Sequence, residues 1–511
     1  MKIERTKNAT RNVFFTGMMQ MMNMLVPFIM RSILLNYLGV EYLGLNGLFR
    51  SILQFLNLAE LGVGSAMVFS MYKPIAEDDT DTICALMKLY RTLYRIIGLF
   101  VLTVGLMLVP FLDVLVKDQP PADINLYILY LMSLGCTSLS YWLFAYKNCL
   151  LNAHQREDIT SKVTMCVKFF EYTMKILSLV LFRNYYLYLA MQIISQISCN
   201  ILIAVRVQKM FPNYSPRGNM PREKVMEIFR RVRDLFTSKF AFVISNSVDT
   251  IVISSFLGLP VLAMYQNYFY IIESLRTMLN VVVGACIAGI GNSLIVESME
   301  KNYKDLRKMT VLFGWLMSVT TPMLLCMYQP FMVIWMGQDN TLTMNYVVCF
   351  VLYYYAVGLN RLMNMFKDAA GIWKIDKWRP LVAALVNLGL NLATVRWLGL
   401  YGVLLSTVIS IVVVETPWGI RNLFKTIFPG KYVWQYVGWY CGFVAIALAA
   451  CAASYLACSF IKLGAWPSLF INAALSFVIP NVIFLTIYGR NPLFRDSVSQ
   501  IVNTVLKRKR N

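Results

Sequence analysis

Ionisable side chains are scarce along the chain, and a small set lies inside long apolar runs: Arg31, Arg50, Lys168, Lys175, Arg276 and Arg361, with Glu60, Glu171, Asp249, Glu273 and Glu415. Each costs about 2.5–3.5 kcal/mol at the centre of a membrane helix, so each must face protein or water. Helical spacing groups them with other polar residues. Thr16, Gln20, Asn23, Pro27 and Arg31 form one stripe, and Asn46, Arg50, Gln54, Asn57 and then Glu60 or Leu61 form a second. Ser238, Ser245 or Asn246, and Asp249 form a third, and Glu273, Arg276 or Thr277, Asn280 and Gly284 a fourth. One hydrophilic cavity would hydrate all four. A cavity with more deep cations than acids suits an anion, and phosphate oxygens match the guanidinium fork. Arg31, Arg50 and Arg276 are therefore candidates to hold a pyrophosphate, and Gln54, Asn57 and Asn280 to contact an attached sugar. Tyr265, Tyr268 and Tyr270 could stack on sugar faces. Glu60, Asp249 and Glu273 are candidate sites for a coupling ion, H+ or Na+.

Other chemistry is missing from the pattern. The chain has no G-x-x-x-x-G-K-[ST] loop, no HExxH and no nucleophile elbow, so neither a nucleotide motor nor a hydrolase is encoded in a known form. His154 is the only histidine and reads as a solvated loop residue beside Arg156, Glu157 and Asp158. The eleven cysteines include no C-x-x-C pair and read as small apolar fillers, without a metal or disulfide framework. No cofactor beyond a coupling ion is expected, and no enzyme activity. Lys168, Glu171 and Lys175, at i, i+3 and i+7, read equally well as a self-paired stripe or a functional one. Arg361 lies near Asn360, Asn364 and Asp368 at a cytoplasmic end. Asn387 and Asn391 read as contacts between helices, and Glu415, before Thr416-Pro417, as lining a kink.

The elements that must position these groups are membrane helices. The chain has 511 residues, 58% apolar and 14% charged, against about 25% charged in soluble domains. Its apolar runs reach the roughly 20 residues that one crossing needs, and fourteen spans are counted. Of the 47 Lys and Arg, 37 fall in one alternating set of loops and 4 in the other, which places both termini in the cytoplasm. That asymmetry also accounts for the net charge of +21, so nucleic acid is not an expected partner. The polar stretch 209–236 contains Pro212, Pro216 and Pro221 and then an amphipathic segment with Val225, Ile228, Phe229, Val232 and Phe236 on one side and basic residues on the other. Such a helix can lie in the headgroup layer. A repeat flanks it, with Leu38-Gly39 falling on Leu257-Gly258, 219 positions apart. Duplicated halves are a mark of secondary transporters, whose substrate site lies between them. The expected organisation is a six-helix lobe over 1–208, a cytoplasmic linker over 209–236, a second six-helix lobe over 237–428, a helix pair over 429–490 and a basic tail over 491–511.

The stretch 35–66, LNYLGVEYLGLNGLFRSILQFLNLAELGVGSA after Leu34, resembles the first helical hairpin of Wzx-type polysaccharide flippases, and 377–410, KWRPLVAALVNLGLNLATVRWLGLYGVLLSTVIS, resembles their eleventh and twelfth helices. These flippases belong to the multidrug/oligosaccharidyl-lipid/polysaccharide exporter superfamily. The resemblance implies a fold of two pseudo-symmetric six-helix lobes and two further helices. It also implies transfer of an undecaprenyl-pyrophosphate-linked oligosaccharide across the bacterial cytoplasmic membrane, with glycosyltransferases and a polymerase of the same pathway as partners. Relatives that flip lipid-linked peptidoglycan precursor use arginines in helices one, two and eight, where Arg31, Arg50 and Arg276 stand here. The alternatives are a cation-coupled drug exporter of the same superfamily and a non-transporting membrane scaffold of a glycan-assembly complex.

Overall fold

The structure is a computed structural model that describes residues 5–60, 62–117, 120–461 and 463–499. Lys462 and the end of the expected tail, 500–511, lie outside the described residues, as do the side chains of Ser238 and Asn246. Regular structure among the described residues is entirely helical. The first compact unit, Met1–Ala263, contains α1 (Arg5–Leu38), α2 (Val40–Leu56), α3 (Val63–Ala76), α4 (Thr80–Leu108), α5 (Leu112–Leu115), α6 (Leu126–Trp142), α7 (Asn148–Ala153), α8 (Glu157–Leu177), α9 (Tyr185–Met210) and α10 (Arg222–Leu257). The second, Met264–Asn511, contains most of α11 (Leu259–Val296), then α12 (Met299–Met336), α13 (Met344–Ala370), α14 (Trp373–Asp376), α15 (Trp378–Leu398), α16 (Leu400–Ile409), α17 (Thr416–Thr426), α18 (Val433–Ser459) and α19 (Ala465–Tyr488).

Among the described residues ten helical segments are long and apolar enough to cross a membrane, and the bent pair α6–α7 makes up to an eleventh. The other three expected spans fall short for visible reasons. The run 44–70 is interrupted by a 3-10 turn at Asn57–Glu60 between α2 and α3. The helix α8 carries Lys168, Glu171 and Lys175 on its interior face. In α10 the charged segment from Arg222 and the apolar run that ends at Leu257 form one unbroken helix, so the amphipathic segment and the seventh span are continuous.

Side-chain distribution shows which solvent the fold is built for. On α19 the buried face is Ser468, Asn472, Ser476, Pro480 and Phe484, whereas Phe470, Phe477, Val478 and Val482 are exposed. Small and polar residues point inward and apolar ones outward, the arrangement expected when the surrounding medium is hydrocarbon and close backbone approach drives helix association. Asn472 donates to the Cys326 carbonyl of α12 at 3.2 Å. The chain is a multi-pass integral membrane protein with an all-α fold.

The repeat seen in the sequence has a backbone counterpart. Gly39, between α1 and α2, has φ 109° and ψ 176°. Gly258, between α10 and α11, has φ 96° and ψ 172°. Each amide donates back into the helix it ends, Gly39 to Leu35 O at 3.0 Å and Gly258 to Ile253 O at 3.1 Å. The same one-residue corner thus recurs 219 positions on. Only glycine adopts this region without a large penalty. Around Gly39 there is open space for a Cβ, so an alanine there would be strained by its backbone and not by a clash. Gly39→Ala should therefore lower stability by about 1–3 kcal/mol without changing the fold, measured as a lower thermal midpoint in detergent. Gly135→Ala, also in open space but in α6 with an ordinary φ, should be neutral or slightly stabilising.

Candidate functional site

In the first unit the polar stripe of α1 is stitched to α8. Thr16 and Ser161 hydroxyls lie 3.2 Å apart. The Asp158 backbone N–H donates to Asn12 Oδ1 at 2.8 Å, and Asn12 Nδ2 donates to the Gln155 carbonyl at 3.0 Å. The fully buried Asp158 carboxylate takes ion pairs from Arg156 at 2.9 Å, Arg11 at 3.1 Å and Lys162 at 3.3 Å. Burial alone would raise its pKa, but hydrogen bonding and charge from Arg156, then Lys162 and Arg11, outweigh it and hold the carboxyl below its ordinary value. His154, expected in solvent, is buried instead. It caps α7, its Nδ1 lies 2.8 Å from the Leu150 carbonyl, and its ring packs on Phe211 and Tyr214. Burial lowers its pKa, so the imidazole is neutral. The chain leaving α9 covers it, which the local charge pattern did not signal.

Further along, Arg31 is partly buried and has an interaction of its own. Arg50 is exposed on α2, and among the described residues it makes no hydrogen bond or ion pair. Gln54 follows one turn on, partly buried. At Asn57 the α-helix stops, and Gly62, left-handed at φ 91°, lets α3 begin. This break is held by tyrosines. Tyr90 donates to Tyr94 at 2.7 Å, Tyr94 donates to Glu60 Oε1 at 2.6 Å, and Tyr141 lies 3.0 Å from Asn57 Oδ1 and 3.3 Å from Glu60 Oε2. Asn57 and Glu60 are thus brought together through Tyr141. Asp249 is 6% exposed and has an interaction of its own on α10. On α8, Glu171 receives both Lys168 and Lys175 at 2.7 Å.

In the second unit Arg276 is ion-paired with Glu273, one turn earlier on α11, and its Nη1 donates to the Tyr353 hydroxyl at 3.0 Å. The side chains are 23% and 38% exposed, so the pair is not sealed. Asn280, a turn beyond, is exposed. Asn387 donates to Thr407 at 2.9 Å, joining α15 to α16. Glu415 ends a π-helical stretch, Ser410–Glu415. It accepts from Arg379 Nη1 at 3.0 Å.

Arg379 is the residue that the sequence pattern missed. It was counted with the loop cations, yet it is 1% exposed. It holds Asp376 through both carboxylate oxygens at 2.8 and 2.7 Å, donates to Asn364 at 2.8 Å and reaches Glu415. Lys367 and Asn422 complete the shell of Asp376 at 3.1 and 2.9 Å. Burial would raise the Asp376 pKa; the hydrogen bonds and charge of Arg379, with Lys367, hold it low. The spacing Asp376-x-x-Arg379 was the available signal. Among the described residues no group of three or more His, Cys, Asp or Glu side chains could hold a metal ion.

The family model described as polysaccharide biosynthesis protein matches residues 9–288, more than half of the chain. The chain belongs to that family. No curated protein matches it in sequence. Among solved structures the chain is similar to lipid II flippase MurJ in an inward closed conformation, at 15% identity and TM-score 0.66 over 94% of this chain and 98% of that one. It is also similar to a MATE transporter in a bent conformation, at 16% identity and TM-score 0.53 over 81% and 95% of the two chains. A transporter of the MOP superfamily from Pyrococcus furiosus matches at 13% identity and TM-score 0.50 over 82% and 96%. At these identities the likeness is one of fold, and the expected superfamily fold is the one found.

Two outcomes follow from the buried carboxylates. Asp158 has a depressed folded pKa, so its contribution is fully present above the ordinary carboxylate range near pH 4 and is lost as pH falls through the folded value. Asp158→Asn should lower the thermal midpoint at pH 7 by several degrees, about 1–3 kcal/mol, and the gap to wild type should close in a titration below pH 4. Arg379→Gln should cost about 3–5 kcal/mol by taking from the buried Asp376 its bidentate partner, seen as loss of monodisperse protein, and Arg379→Gln with Asp376→Asn should recover part of it.

Proposed function

We propose that the chain is a flippase that moves an undecaprenyl-pyrophosphate-linked oligosaccharide across the bacterial cytoplasmic membrane by alternating access, for cell-surface polysaccharide synthesis, with both termini in the cytoplasm. The observation that carries this reading is Arg50: an exposed guanidinium on a helix of the membrane domain, without a counter-ion among the described residues. Such a group is tolerated only where water reaches it, and a diphosphate supplies the bidentate partner its fork lacks. Arg31 and Arg276 are likewise assigned to pyrophosphate binding and Gln54, Asn57 and Asn280 to the glycan. Glu60 and Glu273 are assigned to ion coupling together with Asp249. Family membership supports the pathway, and glycosyltransferases and a polymerase are the expected partners.

A second reading has its own support. Glu60, caged by Tyr94 and Tyr141, is an acidic and aromatic environment that suits an organic cation, as in a cation-coupled drug exporter. Leaflet transfer in proteoliposomes separates the two. Wild-type protein should move a lipid-linked oligosaccharide to the opposite leaflet, and Arg50→Ala and Arg276→Ala should each slow transfer about tenfold or more, the equivalent of ~1.4 kcal/mol. Wild-type rates in both variants would remove the anion grip. Restored drug tolerance in an exporter-deficient strain, with no glycolipid transfer, would favour the exporter.

A further inference from the structure

The amphipathic segment at the start of α10 has no part in the transport reading, and its apolar side is divided in the structure. Ile228 is buried and Val225 and Val232 are partly buried. Phe229, expected on the same side, is 45% exposed; the side chain of Phe236 lies outside the described residues. Met226, one turn before Phe229, is 51% exposed. Arg222, Arg230 and Arg233 are exposed as well. Steps of four, three, one and three put Arg222, Met226, Phe229, Arg230 and Arg233 on one helical face. Arg231 falls on another side. Its guanidinium lies 4.4 Å from the centroid of the Phe69 ring on α3, and its Nη2 is 2.6 Å from Glu227. That contact ties the segment to α3, where Phe69 and Tyr72 are also exposed.

Neither water nor hydrocarbon suits this face. Water leaves Met226 and Phe229 unmatched, and hydrocarbon leaves the arginines unmatched. A headgroup layer takes both, with apolar side chains at the acyl boundary and guanidinium groups among the phosphates. The length of α10 puts the face at that depth. The helix runs unbroken for 36 residues to Leu257, about 54 Å at 1.5 Å per residue. The hydrocarbon core and both headgroup layers together are about 40–45 Å thick. With the Gly258 corner at one membrane surface, Arg233 lies about 38 Å along the helix, Arg230 and Phe229 about 42–44 Å, and Arg222 about 54 Å. The first three reach the opposite headgroup layer and Arg222 lies beyond it. We propose that this face of α10, centred on Phe229, Arg230 and Arg233, is a docking surface for the phosphate headgroups of anionic membrane lipids such as phosphatidylglycerol. The leaflet is the one that faces the cytoplasm in the topology given above. The charge is complementary: over 222–233 five cations stand against two acids, and Arg231 already holds one of the acids, Glu227. Among the described residues Arg230 makes no ion pair. The lipid is a resident of the membrane and not cargo, so the surface does not depend on the flippase reading.

The test uses the full chain in phosphatidylcholine nanodiscs, with and without phosphatidylglycerol, and reads amide hydrogen exchange over 222–233. Phosphatidylglycerol should slow exchange in this segment of the wild type several-fold, and high salt should remove the difference. Arg230→Gln with Arg233→Gln should abolish most of the slowing and leave the thermal midpoint in phosphatidylcholine unchanged. Arg230→Lys with Arg233→Lys should retain it, because the attraction is one of charge. Phe229→Ser should reduce it too, which charge alone would not explain. Arg222→Gln, beyond the layer, should leave it in place. Equal exchange in the two kinds of nanodisc would overturn the surface, as would a loss in Arg222→Gln as large as in the double variant. Slowing by soluble pyrophosphate in phosphatidylcholine nanodiscs would also overturn it, since that marks a water-filled site for a free anion. If the double variant folds poorly, the wild type decides: slowing that persists at high salt would refute docking by charge.

Discussion

An ionised group in a hydrocarbon environment has to be compensated, and this constraint sorts the interior charges of the protein into two kinds. Some are neutralised where they stand: Asp376 by Arg379 and Lys367, Glu171 by two lysines. These groups carry near-complete burial because each polar atom has a fixed partner. Arg50 belongs to the other kind, exposed and without a counter-ion among the described residues. Its cost is avoided only by water or by a mobile anion. Charges of the first kind build the scaffold, and those of the second are available to a ligand.

Breaks in the helices follow the same division. Irregular backbone at membrane depth needs protein or water to satisfy the freed groups. The 3-10 turn at Asn57–Glu60 is enclosed by tyrosine hydroxyls from α4 and α6, and the π-helical stretch at Ser410–Glu415 ends on the residue that reaches Arg379. Both irregular segments place a carboxylate where a regular helix would not, and both carboxylates are held by side chains from other helices. The irregularities and the charge clusters are therefore one feature seen from two sides.

Composition and apolar run length were sufficient for the all-α membrane fold, because about 20 apolar residues can do little else. The corner glycines were legible as a repeat because a backbone that only glycine tolerates leaves a residue-specific mark: Gly39 and Gly258 share φ and ψ. Pairings between distant segments were not legible. Tyr94 and Tyr141 reach Glu60 from helices whose sequence spacing says nothing of that contact. Arg379 stands among Lys374 and Lys377 in the sequence, so its burial could not be read from local charge. The same holds for α10, where Ser254 donates to the Leu115 carbonyl at 2.7 Å across 139 residues of sequence.

Arg276 shows why pairing alone does not decide whether a charge is structural. Its carboxylate partner is one turn away on the same helix and more exposed than the arginine itself, so the pair is screened and an i,i+3 contact of this sort is worth only a fraction of a kcal/mol. An arriving dianion can compete for such a guanidinium, while Glu273 returns to water. Around Arg379 the same exchange is closed off, because Asp376 is also held by Lys367 and Asn422 and the arginine side chain is only 1% exposed. The difference between a grip and a rivet in this protein is thus the exposure of the counter-ion, and by that measure Arg276, whose Glu273 is 38% exposed, is a grip and Arg379, whose Asp376 is 3% exposed, is a rivet.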